Sequence, residues 1–73
     1  MCRFMKDTSI IGKYEYLGAF DSKDQCANEV KVKYPNATGV EWYEDNNNCY
    51  ARYGNKLTHY SGIGAWSCLR EGN

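Results

Sequence analysis

Four cysteines, Cys2, Cys26, Cys49 and Cys68, stand almost evenly spaced along a chain of 73 residues. No two of them are close enough for the paired spacing of a zinc site or a thiol redox centre, so two disulfides are expected. The bonds are needed because a chain this short buries too little apolar surface to outweigh the entropy of ordering its backbone. Each closure of such a loop is worth about 3 to 4.5 kcal/mol in the chain-entropy model, comparable to the whole stability of a small domain. Four cysteines allow three pairings, and the sequence alone does not choose among them. Joining Cys2 to Cys68 and Cys26 to Cys49 has the attraction of tying the two ends together while pinning an internal segment.

Disulfides imply an oxidising compartment, and a secreted or extracellular protein is therefore expected. The opening MCRFMKD has no basic n-region, apolar h-region or cleavage site, which reads as a mature secreted segment carrying an added Met1. The competing reading is an intracellular protein with four free thiols. No run approaches the ~18 apolar residues of a membrane span. Nine basic and nine acidic side chains are mixed along the chain. Phosphate backbones reward a concentrated positive patch, so nucleic acid is not expected as a partner. Lys31 and Lys33 are the nearest approach to a basic cluster and suit a solvated helix face. The unusual feature of the composition is its seven Tyr and two Trp, residues at home in half-buried strands and in recognition surfaces alike.

Residues 1–5 suit a short first strand with Cys2 and Phe4 toward the core, and residues 7–13 read as a loop turned by Gly12. In residues 13–20, KYEYLGAF, Tyr14, Tyr16 and Gly18 alternate with Glu15, Leu17 and Ala19, the pattern of a strand with a glycine irregularity. Ser22 is followed three residues later by Gln25, the spacing of a capping box. A helix over residues 23–33 follows, with Cys26, Ala27, Val30 and Tyr34 on its apolar stripe and Lys23, Asn28, Glu29 and Lys31 outward. Pro35 disfavours helical geometry at Tyr34 and stops it. Residues 38–45 and 49–53 alternate again around DNNN, whose residues tolerate left-handed backbone geometry, giving a β-hairpin. Residues 54–64 read as a polar loop, and residues 65–71 as a last strand beside the first. The expectation is one α+β domain over residues 1–73, a single helix packed on a mainly antiparallel sheet and stapled by two disulfides.

The segments DSKDQCANEV for the helix and GVEWYEDNNNCYAR for the hairpin, with Cys2 and Cys68 at the ends, resemble the PAN/apple family in its two-disulfide form. In that family the helix cysteine bonds the hairpin cysteine, which here implies Cys26 with Cys49. A terminal pair, here Cys2 with Cys68, is found in many members. The further helix-to-strand cysteine pair carried by many members is missing from this chain. What the resemblance implies is binding of proteins or carbohydrates.

The residues themselves suggest several chemistries. His59, the single histidine, could be combined with Ser61 or Ser67 and an acid into a nucleophilic triad. A lone histidine in a polar loop of so small a domain argues instead for a surface role, and no enzymatic activity or cofactor is expected. Glu41, Glu44, Asp45 and Asn46 offer oxygen ligands near the hairpin tip, but not at EF-hand spacing, and no metal is expected. Asn36, Ala37 and Thr38 form an N-x-T glycosylation sequon. If Val40, Trp42, Cys49 and Ala51 face the helix, alternation places Glu41, Tyr43, Tyr50 and Arg52 on the other face. Tyr rings flanked by a carboxylate and a guanidinium suit a glycan or a protein ligand, with Asn47, Tyr60 and Tyr14 in support. The same residues could serve only as cross-strand pairs. A structural or self-associating extracellular protein, a monomer or weak homo-oligomer, is the alternative function, and a small toxin or protease inhibitor a weaker one.

Overall fold

The computed structural model describes residues 2–70, which form one helix and seven strands. In chain order these are β1 (Met5–Lys6), β2 (Thr8–Ile10), β3 (Tyr14–Ala19), α1 (Lys23–Lys33), β4 (Gly39–Tyr43), β5 (Asn48–Arg52), β6 (Leu57–His59) and β7 (Ala65–Leu69). Five strands make an antiparallel sheet in the order β1-β7-β4-β5-β3, and β2 pairs with β6 in a separate two-stranded layer. The α+β architecture expected from the sequence is present, with α1 against one face of the larger sheet.

The helix occupies the expected residues, for the expected reason at its start. Ser22 is extended, and its Oγ accepts from the Gln25 backbone N–H at 3.1 Å. The Gln25 side chain accepts in return from the N–H of Asp21, one residue before the cap. Asp24 in the first turn and Lys31 and Lys33 in the last complement the helix dipole. Only Cys26 and Val30 are fully buried, while Val32 lies outside the apolar stripe and is 68% exposed. So narrow an apolar contact holds a short helix weakly. Covalent attachment compensates, because Cys26 is bonded to Cys49 on β5 across a Cα separation of 5.5 Å. The second bond joins Cys2 to Cys68. Around both lies the core of Cys26, Val30, Ala37, Val40, Cys49, Ala51 and Cys68, with Cys2, Phe4, Leu17, Phe20, Ala27, Tyr34, Trp42 and Tyr53 packed against it.

Three expectations for local structure are corrected. The first strand is Met5–Lys6, later than residues 1–5, although Cys2 and Phe4 do pack on the core. Residues 7–13 and 54–64, both expected as loops, contain β2 and β6, which pair with each other. His59 consequently lies in a strand, opposite Thr8. The last strand ends at Leu69, and Glu71 lies outside the described residues.

Three backbone positions build the second layer and the sheet edge. Asp7, with φ of 58°, redirects the chain from β1 in the large sheet to β2 above it. Gly39 is required where β2 lands, since a Cβ there would collide with the Ile10 side chain and the Cys68 carbonyl. On the far edge, β3 slips register between Tyr16 and Gly18, and Gly18 absorbs the irregularity at φ 101°.

Candidate functional site

The face of the large sheet that points away from α1 is divided in two. Its β7 and β4 portion lies beneath β2. Ile10 is fully buried there, and Ser67 donates its Oγ proton to the carbonyl of Thr8 at 2.8 Å. The β5 and β3 portion is uncovered and carries tyrosines. Strand register aligns Tyr16, Tyr50, Glu41 and Ser67 in one row and Tyr14, Arg52, Gly39 and Leu69 in the next.

Glu41 does face away from the helix, as alternation requires, but its expected exposure is corrected: the residue is 0% exposed. One carboxylate oxygen accepts from the Ile10 backbone N–H at 3.0 Å and from Arg52 Nη1 at 2.8 Å. The other accepts from Tyr43 Oη at 2.6 Å, and Ser9 Oγ lies 3.1 Å from both. A buried carboxylate is tolerated only with such partners, and here every partner comes from a strand or bend around it. Glu41 thus acts as the tie between β4, β5 and the second layer. Burial pushes the Tyr43 phenol far above its ordinary range, and its hydrogen bond to Glu41 adds to the effect. Tyr43 is half-buried and committed to this network.

Arg52 completes the network, donating from Nη2 to the Gly12 carbonyl at 3.1 Å. Its side chain is only 12% exposed, and its Nε is buried with no hydrogen-bond partner among the described residues. The guanidinium also packs on Tyr14, with Cζ 5.5 Å from the ring centroid. From Arg52 outward the surface becomes aromatic. Tyr50 is the hub: Tyr14 at 5.6 Å and Tyr43 at 5.7 Å meet it nearly edge-on, and Tyr16 lies tilted at 5.3 Å. Tyr14 and Tyr16 are 60% and 55% exposed, and Tyr16 Oη is steadied by Asn48 Oδ1 at 3.0 Å.

Of the residues singled out in the sequence, the fold brings together Glu41, Tyr43, Tyr50, Arg52 and Tyr14. Asn47 is a left-handed turn residue at φ 64° whose carbonyl accepts from Phe20, and Tyr60 sits in the turn after β6 with its N–H on the Asp7 carbonyl. Among the described residues, neither joins the aromatic cluster. Tyr16 and Asn48 were missed. The alternation of KYEYLGAF marked Tyr16 as a partner of Tyr14 on one face, but only the β3–β5 register places it beside Tyr50.

The other chemistries find their residues apart. Glu44 accepts from Trp66 Nε1 at 2.8 Å, Asn46 Oδ1 caps the N–H of Asn48, and no group of three acidic, His or Cys side chains gathers among the described residues. Ser67 is buried and donates its Oγ proton to the Thr8 carbonyl, not to His59, which is exposed. Asn36 is exposed in the bend after α1, while Thr38 of the same sequon hydrogen-bonds the carbonyls of Arg52 and Gly54. No described helix is long and apolar enough to cross a membrane. No family model, curated protein or solved structure matches the chain.

Proposed function

We propose that this chain is an extracellular, non-enzymatic binding module that recognises a carbohydrate or protein ligand through the Tyr14, Tyr16 and Tyr50 face. The observation that carries the reading is the ring cluster itself, in which Tyr14 and Tyr16 stay more than half exposed while fixed against Tyr50. A rigid aromatic surface presents flat contact area at low entropic cost, with phenol and amide groups for directional hydrogen bonds. Glu41 and Tyr43 serve beneath it as supports rather than as contacts. Extracellular residence rests on the two disulfides, and the bond from helix to hairpin is the one that a PAN/apple-like ancestry implies.

The test is retention on arrays of glycans and extracellular proteins. The double variant Tyr16→Ala/Tyr50→Ala loses retention while keeping its far-UV circular dichroism and both disulfides. Equal retention of variant and parent would mean that the face is structural. A self-associating structural protein is the second reading, favoured by the outer edge of β3, which pairs with nothing among the described residues. Light scattering that finds only monomer across a wide concentration range removes it.

A further inference from the structure

The sequon Asn36-Ala37-Thr38 takes no part in the tyrosine face, and its residues meet opposite fates in the fold. Asn36 is exposed in the turn after α1, whereas Ala37 is 3% exposed and belongs to the core. The groups that follow Asn36 are engaged. The Ala37 N–H donates to the Tyr34 carbonyl and the Thr38 N–H to the Arg52 carbonyl, each at 2.9 Å. Thr38 is exposed as a residue, yet its hydroxyl is committed to the carbonyls of Arg52 and Gly54. Arg70 closes the bend from the other side. Its backbone N–H donates to the Thr38 carbonyl at 2.8 Å, and its Nη1 donates to the carbonyls of Pro35 and Ala37.

An N-x-T acceptor needs a hydroxyl two residues after the asparagine, so an enzyme that modifies it must reach that hydroxyl as well as the amide. Here the fold exposes the first residue and turns the hydroxyl of the third onto main-chain carbonyls. We propose that Asn36 is an N-glycosylation site that is open only while the chain is being made, the closed domain no longer being a substrate. The inference rests on the extracellular residence proposed above and not on the tyrosine face. Asn36 Nδ2 bonds to the anomeric carbon of a lipid-pyrophosphate-linked oligosaccharide. The bond from that carbon to the pyrophosphate oxygen breaks, the lipid pyrophosphate leaves with its electron pair, and one amide proton passes to a base of the transferase. Every group that closes the sequon is made after it: Arg52 and Gly54 follow Thr38 by 14 and 16 positions, and Arg70 follows Ala37 by 33. Synthesis at about 5 to 20 residues per second leaves the sequon open for seconds before Arg70 arrives.

The experiment has two arms. In the first, the full chain behind a cleavable signal peptide is secreted from a eukaryotic cell and weighed before and after an amidase that removes N-linked glycans. The parent is expected to lose one glycan and to keep an aspartate in place of Asn36, and Asn36→Gln is expected to be secreted without one. A parent secreted with both disulfides and no glycan overturns the site and leaves the extracellular residence and the tyrosine face standing. A parent held in the cell with free thiols overturns the residence and the site with it. In the second arm, the unglycosylated chain, either oxidised and folded or reduced, alkylated and unfolded, is given membranes that hold the transferase and its lipid-linked donor. The reduced chain is expected to be modified at least about tenfold more, and Arg70→Ala to raise the fraction of oxidised chain modified. If Arg70→Ala does not fold, the two forms of the parent carry the test. Equal modification of the two forms overturns the closure, and modification of neither by membranes that act on a control N-x-T peptide overturns the site.

Discussion

The two faces of the large sheet are built from alternate residues of the same strands, yet they hold their covering layers by different physics. Toward α1 the sheet presents Val40, Cys49, Ala51 and Cys68, and the helix answers with Cys26 and Val30. That interface is apolar, made of small side chains, and bolted by Cys26–Cys49. Toward β2 and β6 the sheet presents Glu41, Ser67 and Arg52, and the cover is tied on by hydrogen bonds to a carboxylate and to Thr8. A layer of three-residue strands cannot bury enough apolar surface to stay by hydrophobic contact alone, so directional bonds do the work that burial does elsewhere. One side should therefore respond to reductant and the other to changes of charge and pH.

The sharpest way to break that contrast is the double variant Cys26→Ser/Cys49→Ser, expected to cost about 2 to 5 kcal/mol and to leave the chain unfolded at 37 °C. Circular dichroism and urea titration measure it, and a variant that stays folded with an ordered helix would show that the apolar contact suffices. Next comes Glu41→Ala, which strands the Arg52 guanidinium and costs about 3 to 5 kcal/mol. Hydrogen exchange should show β2 and β6 losing protection before the strands under α1, and uniform loss would remove the division between faces. The smallest effect is the response to alkali. Tyr43 is held neutral by burial and by Glu41, with its ionisation raised above the ordinary value. The raised group contributes stability that is whole below the unfolded-chain value of about 10 and is lost as pH rises through the native one. The urea midpoint should therefore fall from about pH 9.5 upward in the parent and fall less in Tyr43→Phe.

How much of this was legible in the sequence follows the distance over which each element is specified. The helix was readable because Ser22, Gln25 and Pro35 are local signals, and the hairpin because its turn and its alternation are adjacent. The β2 and β6 strands were not, since TSI and LTH are too short to show a period and find their partners nearly fifty positions away. From that single omission follows the misplacement of Glu41. Alternation correctly assigned it to the face opposite the helix, and a charged residue there reads as solvated until a second layer is known to cover it. The same limit hid Tyr16, whose neighbour Tyr50 is set by the register between β3 and β5. Tyr50 and Arg52 were legible because they sit in the hairpin whose alternation was plain.

The bond between Cys2 and Cys68 also makes the fold, in mechanical terms, a closed loop. Tension applied at residues 2 and 68 runs through one covalent bridge with a Cα separation of 5.6 Å, and the intervening strands and helix carry almost none of it. Strung between other elements under load, the oxidised module is an inextensible bead whose tyrosine face keeps its shape, and it can lengthen only after a reductant opens that bridge.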